Sequence, residues 1–354
     1  MLFSRSKNLV GLDIGTSSIK AVELKELGKG KGYQLVSIGM EPLSPEAIVD
    51  GAIMDSGLVS DAIRSVFSAN RIKATDVAIS LSGHSVIIKK IGLPVMSPEE
   101  LAESIQWEAE QYIPFDVEDV NLDYQVLRGT GMADENTMDV LLVAVKKDKI
   151  NDYTSVITQA GKNALVADVD VFALQNAFEA NYEPSESQMT ALVNIGASVT
   201  NIAILQGGSS IFWRDISVGG NVYTEAMQKE LNLTFEQAEA AKKGEDPSVS
   251  RERVLSIIDA VNEQVGTEIQ KTFDFFKATS ASEPISLIQL SGGGARTPNL
   301  MNYLSTRFET RVEMMNPFRK IQINERAFPM DKLEPMAAAT SVAMGLALRK
   351  VGDK

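Results

Sequence analysis

Leu9-Val10-Gly11-Leu12-Asp13-Ile14-Gly15, running directly into Thr16-Ser17-Ser18-Ile19-Lys20-Ala21-Val22-Glu23-Leu24, is the stretch on which the fold turns. Two β-rich runs flank a short polar segment headed by glycine, the pattern of a tight hairpin. A second copy lies farther along, from Ala191-Leu192-Val193-Asn194-Ile195-Gly196 through Ala197-Ser198-Val199-Thr200 to Leu205. Asp13-Ile14-Gly15-Thr16-Ser17 falls on Asn194-Ile195-Gly196-Ala197-Ser198 at an offset of 181, and Leu24 falls on Leu205 by the same offset. That is about half of the 354 residues, so the simplest reading is a duplicated α/β unit with one hairpin per half. Two such halves face each other across a cleft, and such interfaces are favoured ligand sites.

The chemistry of the turns is that of an anion clamp. Glycine and small residues let backbone N–H groups approach a charged ligand closely. Thr16, Ser17, Ser18, Ser198 and Thr200 add hydroxyl donors, and Lys20 adds a cation, although strand alternation also allows it to face solvent. Asp13 is the one acid in the first turn; beside phosphates it implies a hydrated Mg²⁺ between the two. One hairpin alone reads better as a turn that needs glycine, and it is the pair at half-chain spacing that reverses this in favour of the ligand reading.

Composition removes competing chemistries. There is no cysteine, which excludes disulfide scaffolds, thiolate zinc sites and cysteine nucleophiles. The single histidine, His84, would have to carry any Ser-His-Asp triad alone. A net charge of −13 argues against nucleic acid as a partner. No apolar run approaches the ~20 residues that span a bilayer, and Met1–Asn8 lacks the apolar core of a secretory signal. The chain reads as cytosolic.

Between the hairpins, helical spacing begins at Pro45, with Leu58, Ala62, Val66 and Phe67 on one face, and strands follow at Val77–Leu81 and Ser85–Ile91. Ser97, Pro98 and Glu100 spell a capping box for a helix striped by Leu101, Ile105, Ala109 and Tyr112. From Ile91 to Leu127 there are nine acids and no Lys or Arg, and Trp107 lies opposite the stripe, in need of a second packing surface or a partner. A strand at Met138–Val145, a helix at Asp148–Ala160, a strand at Leu165–Asp168 and a helix near Val171–Ala180 lead to a linker at Asn181–Gln188. After the second hairpin come a strand at Ile211–Val218, a helix opened by Gly219-Gly220, and a long helix from Arg251 with Val254, Ile257, Ile258, Val261, Val265, Ile269, Phe273 and Phe276 in register. A strand at Ile285–Leu290 runs into Ser291-Gly292-Gly293-Gly294-Ala295-Arg296, after which Thr297 and Pro298 cap and start another helix. The glycine run, feeding a helix N-terminus, lets a flat base or ribose lie on bare backbone. It is neither a Rossmann fingerprint nor a P-loop. An alanine-rich helix is expected over Glu334–Arg349.

With these elements in this order, the chain resembles the actin/Hsp70/sugar-kinase superfamily. Asp13–Lys20 matches its first phosphate motif, Asn194–Thr200 the second, Ser291–Arg296 the adenosine motif, and Asp168–Ala180 and Pro335–Leu348 its two connections. More narrowly it resembles the FtsA-like PilM family of type IV pilus assembly, through Gly11–Lys20, Gln111-Tyr112-Ile113-Pro114-Phe115 and Val218-Gly219-Gly220-Asn221. The resemblance implies an α/β, actin-like ATPase fold: two duplicated RNase H-like halves around a nucleotide cleft with an FtsA-like inserted subdomain. The first half would be residues 1–82, completed by 164–185 and 334–354, the insert 83–163, and the second half 186–333.

It further implies ATP or ADP with Mg²⁺, held by Gly15, Thr16, Ser17, Ser18, Lys20, Gly196, Ala197, Ser198, Thr200, Gly219, Gly220, Gly292, Gly293, Gly294 and Arg296. Glu239 and Lys242, three apart on a helix, match the pair that grips ribose and base in some members, and otherwise read as a solvated face. Asp13 is the expected metal and catalytic position. Its counterpart is usually also Asp; Asn194 is neutral and a poor metal ligand, so at most slow hydrolysis is expected and ATP would act as a structural or switching ligand. Implied partners are the cytoplasmic N-terminal peptide of PilN, in a groove beside the insert, and the assembly and retraction ATPases and platform protein of the pilus machine. The chain would be cytoplasmic, peripheral to the inner membrane through PilN. Because it runs out at Arg349-Lys350-Val351-Gly352-Asp353-Lys354, no direct membrane insertion is expected. A sugar or carboxylate kinase of the same superfamily is the alternative, with Asp168 or Asp170 as base, although Val171, Phe172 and Leu174 beside them point to packing. A third reading is an interaction module whose cleft holds no nucleotide.

Overall fold

A computed structural model describes residues 9–28, 30–127, 136–280 and 283–353; the expectations for Met1–Asn8 and for Lys354 lie outside the described residues. The chain opens with the predicted hairpin, β1 (Val10–Ile14) and β2 (Ser18–Glu26), followed by β3 (Tyr33–Pro42). A two-rung ribbon, β4 (Ile48–Val49) and β5 (Ala52–Ile53), precedes α1 (Ser56–Ala69) and β6 (Asp76–Leu81). Next come β7 (Val86–Pro94), α2 (Pro98–Glu110), β8 (Val120–Leu127), β9 (Thr137–Lys146) and α3 (Lys147–Gln159). β10 (Asn163–Val169) and α4 (Asp170–Asn181) lead to the second hairpin, β11 (Met189–Ile195) and β12 (Thr200–Gln206), and to β13 (Ser209–Ile216). Helices α5 (Asn221–Leu231), α6 (Phe235–Lys243) and α7 (Arg251–Thr279) follow. The chain then runs through β14 (Leu287–Ser291), α8 (Leu300–Phe308), β15 (Arg311–Met314), α9 (Met330–Ala337) and α10 (Ser341–Leu346).

The duplication is literal. One sheet is ordered β10-β6-β1-β2-β3 and the other β13-β12-β11-β14-β15; read from opposite edges they are the same sheet. In each, the first hairpin strand is central, antiparallel to its hairpin partner and parallel to a later strand. The registers coincide as well: Asp13 sits opposite Lys20, and Asn194 opposite Asn201. β11 is buried along its whole length, as a central strand covered on both faces must be. A third, smaller sheet is ordered β7-β9-β8 and carries α2 on one face, while α3 packs Tyr153, Val156 and Ile157 into the same core as α1.

Helices α4 and α10 cross where a Cβ placed on Gly345 would lie 1.7 Å from the Ala173 carbonyl oxygen, so only glycine permits the approach. All eight apolar positions read on the long helix α7 are buried. Among the described residues no helix is long and apolar enough to cross a membrane.

Four expectations change. Helix α1 starts at Ser56, capped by Asp55, because residues after Pro45 form the small ribbon; Leu58 is consequently exposed. The capping box of α2 is present, but that helix ends at Glu110, and in the turn that follows Ile113 takes the core position while Tyr112 is exposed. Thr297 closes a short 3₁₀ turn, and α8 begins only at Leu300, after Asn299 in the left-handed region at φ 63°. The alanine-rich C-terminal helix is two helices joined by a 3₁₀ turn at Ala338–Thr340. Pro335 lies inside the first of these helices, and at the join the Thr340 hydroxyl bonds back to the Met336 and Ala337 carbonyls, at 3.1 and 3.0 Å, which tightens it.

Candidate functional site

The two hairpin turns face each other. The Gly15 amide donates to the Ser18 carbonyl at 3.2 Å, and in the second hairpin the Gly196 amide donates to Val199 at 2.9 Å. Thr16 Oγ1 and Ser198 Oγ meet at 3.1 Å, bridging the halves. At the next rung down, Lys20 Nζ lies 3.1 Å from the Asp13 carboxylate, so the lysine points at the turn and not at solvent. Ser17 is exposed and Ser18 buried.

The second turn is stitched to the loop before α5. The Gly220 and Asn221 amides each donate at 2.8 Å, to the Gly196 and Ala197 carbonyls, and Asn221 Nδ2 reaches Ser198 Oγ at 3.2 Å. Any side chain at Gly219 would start 2.5 Å from the Ala197 carbonyl oxygen. The glycine run closes the third side: Gly292 adopts φ 87° and donates to the Ala338 carbonyl at 2.8 Å, and Gly294 comes within reach of Gly220. Three stretches of nearly bare backbone therefore converge, a cradle for a ligand that needs close N–H approach.

Not every residue read from the sequence lines this cradle with a free group. Thr200 Oγ1 is fully buried and donates to the Val218 carbonyl at 2.6 Å. Lys242 pairs with Glu239 and donates to Thr224 Oγ1 at 2.8 Å and to the Gly220 carbonyl at 3.3 Å, which ties α6 to the loop at Gly220. Arg296 donates to the Pro335 carbonyl, joining the glycine loop to α9.

Asn194 lies in a buried hydrogen-bonded row. Ser291 Oγ donates to Asn194 Oδ1 at 3.2 Å, Asn194 Nδ2 to Asn201 Oδ1 at 2.9 Å, and Asn201 Nδ2 to Asp215 Oδ1 at 2.9 Å. The other oxygen of Asp215 accepts the Gly83 amide at 2.7 Å. Sequence reasoning missed Asn201 and Asp215, yet Asn201 is the position that the 181-residue offset aligns with Lys20. Asp170, read from the sequence as a candidate base only for a kinase, is buried and accepts a 2.5 Å hydrogen bond from Ser80 Oγ. Burial, reinforced by the neighbouring Asp13, pushes Asp170 up to about 6. Burial also raises Asp215, against the opposing pull of the Asn201 and Gly83 donors.

Among the described residues no three acidic or histidine side chains come together as a metal-ligand set. Asp13, ion-paired with Lys20, is the one carboxylate of the first turn and the residue there that would hold a hydrated cation through water.

A second concavity lies away from the cradle. A cavity of about 540 Å³ opens between β8 and β9 of the small sheet, β10 of the first half and β13 of the second. Its wall holds Asp168 and Arg349, 3.2 Å apart, with Asp168 raised by burial against the pull of the arginine. Two buried donors there, Trp213 Nε1 and Asn176 Nδ2, have no hydrogen-bond partner among the described residues. Asp168 thus stands in the groove wall while Asp170, two residues on, accepts from Ser80. Trp107 on α2 is 72% exposed.

Two matched sheets, paired glycine turns and a third glycine loop define the actin-like ATPase fold. Solved structures agree. MreB5 of Spiroplasma citri bound to ADP superposes with a TM-score of 0.51 at 14% identity, over 95% of this chain and 94% of that one. The ethanolamine utilization protein EutJ from Carboxydothermus hydrogenoformans superposes at 0.57 with 16% identity, over 98% and 93%. A PilM chain from a PilM–PilN type IV pilus biogenesis complex superposes with a TM-score of 0.87 at 26% identity, over 98% of this chain and all of that one. The cell division protein FtsA of Staphylococcus epidermidis is 21% identical over 97% of this chain and 80% of its own length. The family profile for the type IV pilus assembly protein PilM matches residues 11–351, and the chain belongs to that family. Its role lies in the assembly of type IV pili.

Proposed function

We propose that this chain is a nucleotide-binding scaffold that holds ATP or ADP with Mg²⁺ between its two hairpins and docks the cytoplasmic N-terminal peptide of PilN in the groove beside the small sheet. The observation that carries the nucleotide reading is the meeting of Thr16 and Ser198 at 3.1 Å, which sets two glycine turns on either side of one small volume. In this reading the Gly15–Ser18 and Gly196–Ser198 turns supply backbone and hydroxyl donors to the phosphates. Lys20 offers charge, Asp13 holds the cation through water, and Gly219, Gly220 and Gly292–Gly294 leave room for the nucleoside. Glu239, Lys242, Arg296 and Thr200 shape the walls through the bonds they already make.

Hydrolysis is slow in this reading, because Asn194 spends both ends of its amide within the buried row and has no charge to offer a metal or water. The groove reading rests on donors at Trp213 and Asn176 that have no partner among the described residues and on β8, an edge strand of the small sheet among those residues, beside which an extended segment can lie. The PilM chain of similar fold, solved as a PilM–PilN complex, supports PilN as the occupant. Isothermal titration of the full chain with Mg-ADP, Mg-ATP and a synthetic PilN N-terminal peptide tests both parts. Saturable binding of each is expected, and silence with one ligand overturns that part alone. Steady turnover at ordinary enzyme rates of ~1–10³ s⁻¹ would refute slow hydrolysis.

A further inference from the structure

Helix α7 carries two polar side chains one turn apart, Asp259 and Asn262, and both reach the stretch that follows the glycine loop. Asn262 Nδ2 donates to the Pro298 carbonyl at 3.2 Å, and Asn299 Nδ2 donates to Asp259 Oδ1 at 3.0 Å. Asn262 is 1% exposed, an amide set among the buried apolar positions of the helix. Its oxygen accepts from the Tyr223 hydroxyl at 2.8 Å, and Tyr223 is itself fully buried in the first turn of α5. One buried amide therefore joins the helix opened by Gly219-Gly220 to the exit of the Gly292–Gly294 loop. Its orientation is set, because turning it over would bring its oxygen against the Pro298 carbonyl, an acceptor against an acceptor.

The first turn of α5 is a hub. Asn221 reaches Ser198 of the second hairpin, Tyr223 reaches α7, and Thr224 accepts from Lys242 of α6. The two glycine loops already touch: a Cβ placed on Gly220 would lie 3.7 Å from the Gly294 Cα. In a slot lined by side chains, a change of rotamer absorbs a small misplacement, whereas bare backbone has no rotamer to change. The spacing of these loops is consequently set by what holds their far ends.

We propose that Asn262 is a positioning residue for the nucleoside: together with Tyr223 it fixes, from behind, the spacing between the Gly219-Gly220 and Gly292–Gly294 loops. In the nucleotide reading, on which this rests, the phosphates lie at the paired hairpin turns. Those turns close on their own bonds at Gly15 and Gly196 and meet through Thr16 and Ser198. Asn262 and Tyr223 spend their hydrogen bonds on each other and on Pro298, on the nucleoside side. Removing the amide therefore treats the two ends of the ligand differently. The slot for the nucleoside loses its width, while the clamp on the phosphates stays as it is.

The test uses the full chain, wild type and two variants: Asn262→Leu, which keeps the branched shape and removes both bonds, and Tyr223→Phe, which removes one bond and keeps the ring. Affinities for Mg-ADP and for Mg-pyrophosphate are measured by isothermal titration, and amide exchange at Gly15–Ser18 and Gly292–Arg296 is followed by mass spectrometry. Asn262→Leu is expected to weaken Mg-ADP about tenfold and Tyr223→Phe about fivefold, with pyrophosphate held within about twofold of wild type. In ligand-free Asn262→Leu, exchange should speed at Gly292–Arg296 and stay unchanged at Gly15–Ser18. Equal losses for the two ligands, or an Mg-ADP affinity unchanged in both variants, overturns the assignment. Should Asn262→Leu not fold, Tyr223→Phe alone is read by the same criteria. Should pyrophosphate bind too weakly to titrate, exchange that speeds equally at Gly15–Ser18 and Gly292–Arg296 overturns it. Absence of Mg-ADP binding to wild type overturns the proposed function itself, and this assignment with it.

Discussion

The two hairpins share a backbone and differ at one rung. In the first, Asp13 and Lys20 face each other as an ion pair; in the second, Asn194 and Asn201 occupy the same register as an amide pair. Exposure accounts for the difference. The Asp13 and Lys20 side chains keep 15% and 13% of their surface open toward the turn, whereas Asn201 keeps 2% and Asn194 is also buried. A charge pair survives where water or a ligand solvates it, and a neutral hydrogen-bonded pair is cheaper in a closed sheet. Duplication preserved the clamp's geometry in both halves and left its charge in one. The first half keeps an ion pair open toward its turn, and the second closes the same rung into a buried hydrogen-bonded row.

Exchanging the rungs breaks the comparison most strongly. Asn194→Asp would bury a carboxylate whose neighbour, Asn201, already aims its oxygen inward and its amide at Asp215. A loss of about 3 kcal/mol is expected by urea denaturation, and Asn194→Asp with Asn201→Lys should recover a good part of it by recreating the first hairpin's pair. Recovery no better than additive would show that the two rungs are not equivalent. On the charged side, Lys20→Met is expected to weaken Mg-ADP by about 2 kcal/mol, ~30-fold, the worth of a charged hydrogen bond. Asn201→Met should change nucleotide affinity far less than stability, and equal titration losses would erase the division of labour.

Asp170 sharpens the contrast through pH. Its folded-state value of about 6 lies above the unfolded one, so between the two the folded protein binds the extra proton. This contribution is fully favourable below the unfolded value and is lost as pH rises through about 6. Asp170→Asn should therefore be about 2 kcal/mol more stable than wild type at pH 8 and nearly equal to it at pH 4, as read from urea midpoints. A gap that does not close on acidification would place the cost elsewhere. The smallest effect belongs to the bridge between the halves: Thr16→Val or Ser198→Ala removes one hydrogen bond, about 1 kcal/mol, and a double-mutant cycle should assign most of it to the pair.

The duplication was legible because a hairpin is local: glycine, alternation and a fixed offset are all written in consecutive residues. The long helix was legible for the same reason, its buried face repeating over 29 residues. What sequence reading missed depends on distance in the chain. Asp215 looks like an ordinary acid beside apolar residues, and only β-sheet register sets it against Asn201 and Gly83; Asp170 is legible as a candidate, but its bond to Ser80 is equally a matter of register. The C-terminal helix differs locally: it starts at Met330, runs through Pro335, and is divided by a 3₁₀ turn at Ala338–Thr340, where the Thr340 hydroxyl competes for the helix carbonyls. Tyr112 and Ile113 exchanged places because a helix's stripe says nothing about the turn that ends it.

One contact noted in passing has a mechanical meaning. Where α4 and α10 cross at Gly345, backbone rests on backbone, with no side chain from that residue to interlock. Most helix pairs are geared by ridges set into grooves and must climb one to turn. This pair is a plain bearing, smooth at its centre, placed where the two connections between the halves run past each other. Any side chain there, even a methyl group, would put a tooth in the bearing and lock or dislodge it.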